Sequence, residues 1–223
     1  MQNSAIETQS DAGSQYHGEG YAHLRGFIPP PVALGFLARL KADLARQGVG
    51  LDQLRKEQPL LRQAASELYG YHYPPMATFH WGMTPAVAAI IGRDLLPTYA
   101  YFRIYREGDI CRVHGDRPAC EHSVSLTLAY SDDKPWPLEL ARDPIDTPYQ
   151  RADDLFRDDE HARAVAMAPG DAVLYRGVEF HHGRTTPNPN AWSAHLFLHW
   201  VDREGPHADE AFDRQQPPKE ITL

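Results

Sequence analysis

Cysteine is scarce in this 223-residue chain: Cys111 and Cys120 are the only two. Two thiols cannot build a disulfide framework, and they point to a reduced, cytoplasmic setting. Long apolar runs are missing as well. None approaches the ~20 residues needed to cross a bilayer, so no membrane is expected as a partner. The opening MQNSAIETQSDAGSQ lacks the basic-then-apolar pattern of a secretion signal. Positive charge is in deficit: 22 Lys and Arg against 30 Asp and Glu give a formal charge of −8. That field repels polyanions, and nucleic acid is not expected as a partner. No internal repeat is visible. What remains is ordinary for a globular chain with one sizeable core, except for twelve histidines, several in the second half.

The chain changes character near residue 97. Residues 1–16 are polar and aperiodic and are expected to form a mobile tail. GYAHLRGFIPPP (20–31) reads as a short strand closed by prolines. Phe36, Leu37, Leu40 and Leu44 recur at helical spacing, and Gly48 and Gly50 follow as a stop. The segment 51–70 reads as a second helix, broken near Pro59. A third is expected over 84–96, with Thr84 as cap and Pro85 at its first position. From 97 onward TYAYFRIY, HSVSLTLAY, DAVLYRGVEF and WSAHLFLHWV are short, aromatic and β-branched. In one of them Val124, Leu126 and Leu128 alternate with Ser123, Ser125 and Thr127. The expected class is α+β: a helical support (31–96) on an antiparallel β core (97–202), one domain spanning 17–202, then a loose polar tail over 203–223.

The stretch YFRIYREGDICRVHGD (101–116) ends in His114–Gly115–Asp116. Alone, His-x-Asp is common turn chemistry. In an extended segment, however, residues two apart point the same way and can reach one ion. Two imidazoles and a carboxylate on one face of an octahedral metal leave three positions open for substrates. A third ligand is on offer in MAPGDAVLYRGVEFHHGR (167–184), where a Pro-Gly-Asp turn and a strand precede His181 and His182.

Tyr105-x-x-Gly108-x-x-Cys111-x-x-His114-x-Asp116 resembles the strand entering the metal site of the iron(II)/2-oxoglutarate-dependent oxygenases, in their prolyl-hydroxylase-like branch. Glu179-x-x-His182-x-Arg184 is similar to that family's distal-histidine segment, and WSAHLFLHWV to its final strand. The resemblance covers roughly 97–201 and implies a double-stranded β-helix, or jelly roll. It implies Fe(II) on His114, Asp116 and His182, with His181 the competitor for the third place. It also implies 2-oxoglutarate as co-substrate, released as succinate and carbon dioxide, with ascorbate as a supporting reductant. Because Asp116 is kept where related halogenases carry a small residue, hydroxylation or a related oxidation is the implied outcome, on a small-molecule or peptidyl substrate.

Chemistry demands a cation for the distal carboxylate of the keto acid. The family often supplies it on the last strand, but that neighbourhood here reads NAWSAH, without Arg or Lys. Arg184 is the first choice, Arg103 the second, Tyr105 a hydrogen-bond partner and His195 an assistant; against this, Arg184 could be a solvated loop residue. Tyr71, Tyr73, His80 and Trp81, in the aromatic segment 69–82, are candidates for a pocket lid or for packing between helices and barrel. Lys134–Pro135–Trp136 is a candidate hairpin rim. Two rival readings are a cupin-like metal enzyme that uses no 2-oxoglutarate and a catalytically silent jelly-roll binding protein.

Overall fold

The computed structural model describes residues 2–145, 152–158 and 160–215. Among the described residues, eleven strands form two antiparallel sheets. β1 (Tyr21–Leu24), β2 (Arg55–Lys56), β3 (Ala65–Tyr69), β4 (Leu95–Arg106), β6 (His122–Tyr130), β9 (Ala172–Tyr175) and β11 (Trp192–Asp202) make the larger, in the order β1-β9-β6-β11-β4-β3-β2. β5 (Cys111–His114), β7 (Leu138–Ala141), β8 (Ala162–Val165) and β10 (His182–Arg184) make the smaller, in the order β5-β10-β7-β8. Helices α1 (Gln2–Glu19), α2 (Pro30–Arg46) and α3 (Pro74–Ile91) support the larger sheet. This is the expected α+β jelly roll.

Alternation along the central strands sorts the two faces of the larger sheet. Phe102 and Ile104 on β4, Val124, Leu126 and Leu128 on β6, and Leu196 and Leu198 on β11 pack against Leu40 and Leu44 of α2 and Met76, Val87 and Ile91 of α3. That face carries the core. The other face presents Tyr99, Tyr101, Arg103 and Tyr105, then Ser123, Ser125 and Thr127, then His195, Phe197 and His199. An interior this polar is retained only where its groups find partners. No described helix is long and apolar enough to cross a membrane.

Four expectations are corrected. Residues 2–16, read as a mobile tail, lie in α1, which is anchored by buried Tyr16 and by His17, whose Nε2 donates to the Ile91 carbonyl. The helix expected over 51–70 is instead a short 3-10 turn (Leu51–Leu54) followed by β2 and β3. Pairing of Ser66 with Ile104 and Tyr69 with Tyr101 extends the sheet there and overrides local helix preference. The third helix begins ten residues early: α3 starts on Pro74–Pro75 and carries Pro85 inside it. The helix ends at Gly92, whose φ of 74° closes the C-terminus, and Leu95–Leu96 already belong to β4. Thr84 caps nothing; its hydroxyl accepts a hydrogen bond from Trp200 Nε1. Lastly, Ala208–Arg214, read as loose tail, forms 3-10 turns that bury Glu210 and pair Asp213 with Arg117; residues 216–223 lie outside the described residues.

Candidate metal centre

β5 and β10 are hydrogen-bonded neighbours, and His182 lies directly opposite His114 in their register. The two rings are 4.4 Å apart between centroids. In each ring Nδ1 meets a backbone carbonyl: Arg112 O at 2.7 Å for His114, Phe180 O at 3.0 Å for His182. A carbonyl only accepts, so Nδ1 carries the proton and Nε2 bears the lone pair. Both Nε2 atoms then face Asp116, each 3.5 Å from one of its oxygens. The three donor atoms lie within 4.8 Å of one another.

Asp116 sits just beyond β5, fixed by its amide, which donates to the Gly177 carbonyl at 2.9 Å. Gly177 must be glycine here. A Cβ at that position would collide with Asp116 Oδ2 and come within 3.0 Å of its Cγ. Burial alone would raise the Asp116 carboxyl, but the adjacent imidazoles of His182 and His114 hold it below the usual carboxylate range. Burial pushes His182 down to about 4. At neutral pH Asp116 therefore offers a carboxylate and His182 a neutral imidazole, the protonation states that metal binding needs. Two tautomer-locked nitrogens and a carboxylate on one point fit divalent iron. His181, on the neighbouring residue, turns its Nδ1 to Glu160 at 2.6 Å and is outside this group of donors.

A cavity of about 280 Å³ opens beside these residues, and Arg103, Tyr105 and Arg184 line it. Arg184 is no solvated loop residue: it ends β10 and is only 1% exposed. Its guanidinium lies 5.1 Å over the Trp136 ring and 5.9 Å from that of Tyr105. Nη2 donates to Ser125 Oγ at 3.2 Å, while Nε has no hydrogen-bond partner among the described residues. No described carboxylate pairs with it. A buried cation without a counter-ion is costly unless an anion comes to meet it. Arg103 already has a counter-ion, Glu67 at 2.9 Å, and donates to the Tyr105 hydroxyl at 3.0 Å, although its Nε, like that of Arg184, has no hydrogen-bond partner among the described residues.

The remaining candidates fall elsewhere. His195 is fully buried, and burial, then Arg184 and Arg103, drive its pKa well down, so it adds no cation. Tyr73 is buried and donates to Asp43, and His80 is buried with Nε2 donating to the His199 carbonyl. Tyr71 and Trp81 are exposed at a separate hollow of about 240 Å³. None of the four lines the metal cavity. Trp136 is not on a rim but beneath the Arg184 guanidinium. The sequence reading missed Glu67, which neutralises Arg103, and Ser123, whose Oγ lies 3.4 Å from Asp116 Oδ2 and 2.8 Å from His199 Nδ1. Ser123 and Ser125 share one face of an alternating strand, which was the available signal.

No protein-family model matches the chain, and no curated protein matches it in sequence. Solved structures do. The α-ketoglutarate-dependent carbocyclase SnoK of nogalamycin biosynthesis aligns with a TM-score of 0.66 at 12% identity, over 96% of this chain and 93% of that one. A Pseudomonas putida prolyl-4-hydroxylase aligns at 0.56 and 16% identity, over 88% and 100%. The fold is that of the 2-oxoglutarate/iron oxygenases. HygX of Streptomyces hygroscopicus, solved with nickel and 2-oxoglutarate, aligns with this chain at 0.62 and 10% identity, over 87% of each.

Proposed function

We infer that the protein is an iron(II)- and 2-oxoglutarate-dependent oxygenase acting on a small-molecule or peptidyl substrate. One observation carries the reading: the His114 and His182 Nε2 atoms, the Asp116 carboxylate and the Arg184 guanidinium, which no described carboxylate neutralises, all border one cavity. His114, Asp116 and His182 would hold the metal. Bound there with 2-oxoglutarate and dioxygen, iron supplies the oxidising power, and the co-substrate leaves as succinate and carbon dioxide.

The chain's own residues do the rest. Arg184 neutralises the distal carboxylate of the keto acid, and Ser125 and Trp136 keep its guanidinium in place. The Arg112 and Phe180 carbonyls hold the ligand tautomers. Asp116 fills the position that a small residue would leave to a halide, so the product is hydroxylated rather than halogenated. Two proteins of similar structure are a carbocyclase, SnoK, and an epimerase, SnoN, and hydroxylation is the outcome favoured here on the strength of Asp116 alone.

The test is spectroscopic. Anaerobic protein loaded with Fe(II) should develop a visible metal-to-ligand charge-transfer band when 2-oxoglutarate is added. Metallated protein that shows no band and forms no succinate would overturn this reading in favour of a metal enzyme that does not use the keto acid.

A further inference from the structure

Four tyrosines stack in an unbroken run from the wall of the metal cavity to solvent. Tyr99 and Tyr101 share one face of β4, Tyr69 ends β3, and Tyr71 lies in the 3-10 turn Gly70–His72 that follows. Ring centroids are 6.1 Å apart for Tyr99 and Tyr101, 6.2 Å for Tyr99 and Tyr69, 5.5 Å for Tyr101 and Tyr69, and 5.3 Å for Tyr69 and Tyr71. Every interplanar angle in the run is between 13° and 31°. Register explains one of these contacts, because Tyr69 is the cross-strand partner of Tyr101. It does not explain Tyr71, which lies outside the sheet and still stacks at 20° on Tyr69.

Both ends of the run are distinctive. Inside, the Tyr99 ring is 4.5 Å from that of His199, and its hydroxyl is 3.1 Å from Cys120 Sγ. Cys120, His199 and Asp116 in turn bring donor atoms within 4.8 Å of one another. Outside, Tyr71 is 47% exposed and lines the second hollow, whose wall also includes Tyr99, but not the metal cavity. Phenols are readily oxidised by one electron, giving up the hydroxyl proton as they do so. Stacked π systems at these separations are good partners for passing such an oxidation along.

We propose that Tyr99, Tyr101, Tyr69 and Tyr71 form an electron relay that discharges the metal site when oxygen is activated without a substrate to oxidise, Tyr71 being the terminus reached by an external reductant of the ascorbate class. The relay rests on the oxygenase reading above. Its balance closes: 2-oxoglutarate, dioxygen, two electrons and two protons give succinate, carbon dioxide and one water. The ascorbate anion supplies the two electrons and one proton and leaves as dehydroascorbate, and solvent supplies the second proton. Each phenol loses its proton when oxidised and regains one when reduced, so the run returns to its starting state. The reductant never has to enter the substrate cavity.

The experiment uses the full-length protein with Fe(II), 2-oxoglutarate, oxygen and ascorbate, and no prime substrate. Succinate formed, ascorbate consumed and the sites of covalent oxidation on the protein are all measured. The wild type should consume ascorbate and form succinate in near-equimolar amounts, with little oxidation of its cavity wall. Tyr71→Phe keeps the stacked ring but cannot carry the oxidation. It should form succinate at the same initial rate, use severalfold less ascorbate per succinate, and accumulate oxidised residues around Tyr99 and Tyr101. Tyr71→Trp, which is again oxidisable, should restore the wild-type ratio. If the Phe variant matches the wild type, or if Phe and Trp fail alike, Tyr71 is a packing residue and the relay is wrong. Absence of succinate from the wild type would remove the oxygenase reading and the relay with it; succinate with unaltered ascorbate accounting removes the relay alone.

Discussion

His114 and His182 occupy one rung of an antiparallel ladder, face to face, and each has its outer nitrogen tied to a carbonyl two residues earlier in its own chain segment. The ladder therefore sets both the separation of the two imidazoles and the nitrogen each presents.

Removing one of the three converging donors should release the metal while leaving the sheets in place. Asp116→Ala and His182→Ala are each expected to abolish stoichiometric iron retention, measured by metal analysis after desalting. His181→Ala should retain iron, since its ring turns toward Glu160. A larger loss from His181 than from His182 would reverse the ligand assignment.

The two arginines should fail in different ways. Arg184→Gln loses a charge-assisted contact worth roughly 1.5–3 kcal/mol, which corresponds to about a ten- to hundredfold higher 2-oxoglutarate requirement with iron binding unchanged. Arg103→Gln instead strands Glu67, whose side chain is fully buried. Breaking a buried pair costs about 3–5 kcal/mol, so its signature is a lowered unfolding midpoint. A co-substrate defect in Arg103→Gln with none in Arg184→Gln would exchange their roles.

Gly177→Ala adds one methyl group against Asp116 Oδ2. The carboxylate must turn or shift, and changes to groups that orient a ligand typically weaken metal affinity about 10–100-fold. Iron titration of the variant, with circular dichroism to confirm its strands, should show that loss. Unchanged affinity would mean that Asp116 is not a ligand.

Metal-free protein should lose stability in mild acid. Burial pushes His80 down to about 4 and His199 down to about 3, against an ordinary value near 6.5. A histidine lowered in the folded state leaves the unfolded chain binding more protons below 6.5, so stability is complete above that pH and falls as the pH drops toward 4. Each such group contributes a slope of about 1.4 kcal/mol per pH unit in that window. Urea unfolding between pH 7.5 and 4.5 should show the decline, and His80→Phe should flatten part of it. A stability profile flat down to pH 4.5 would contradict the buried, neutral assignment.

The grouping of the candidate ligands was legible in sequence because strand geometry translates spacing into direction. His114 and Asp116, or His182 and Arg184, two apart, need no long-range information to be placed on one side. Ranking Arg184 above Arg103 followed from that spacing; the structural support for it did not. What neutralises Arg103 is Glu67, and Glu67 lies in the segment read as helix, where its pairing with β4 was invisible. The start of α3 was lost for a related reason. Pro74–Pro75 and Pro85 are both acceptable first-turn prolines, and only packing against the sheet decides between them. The helical character of the first residues has no strong apolar stripe behind it, and single anchors such as Tyr16 and His17 do not show in a composition.

Arg184 follows His182 by two residues on β10, so the proposed metal ligand and carboxylate anchor are separated by two strand steps, about 6.6 Å along the backbone. The backbone between them is closely packed: Gly183 lies so near β5 that a Cβ would come within 2.8 Å of the Cys111 carbonyl. A gauge of this kind measures the acid presented to it: on the proposed roles, oxaloacetate is one carbon too short to span from metal to guanidinium and 2-oxoadipate one carbon too long. The selectivity for a five-carbon keto acid would thus reside in three consecutive residues of backbone, independent of any loop that admits the substrate.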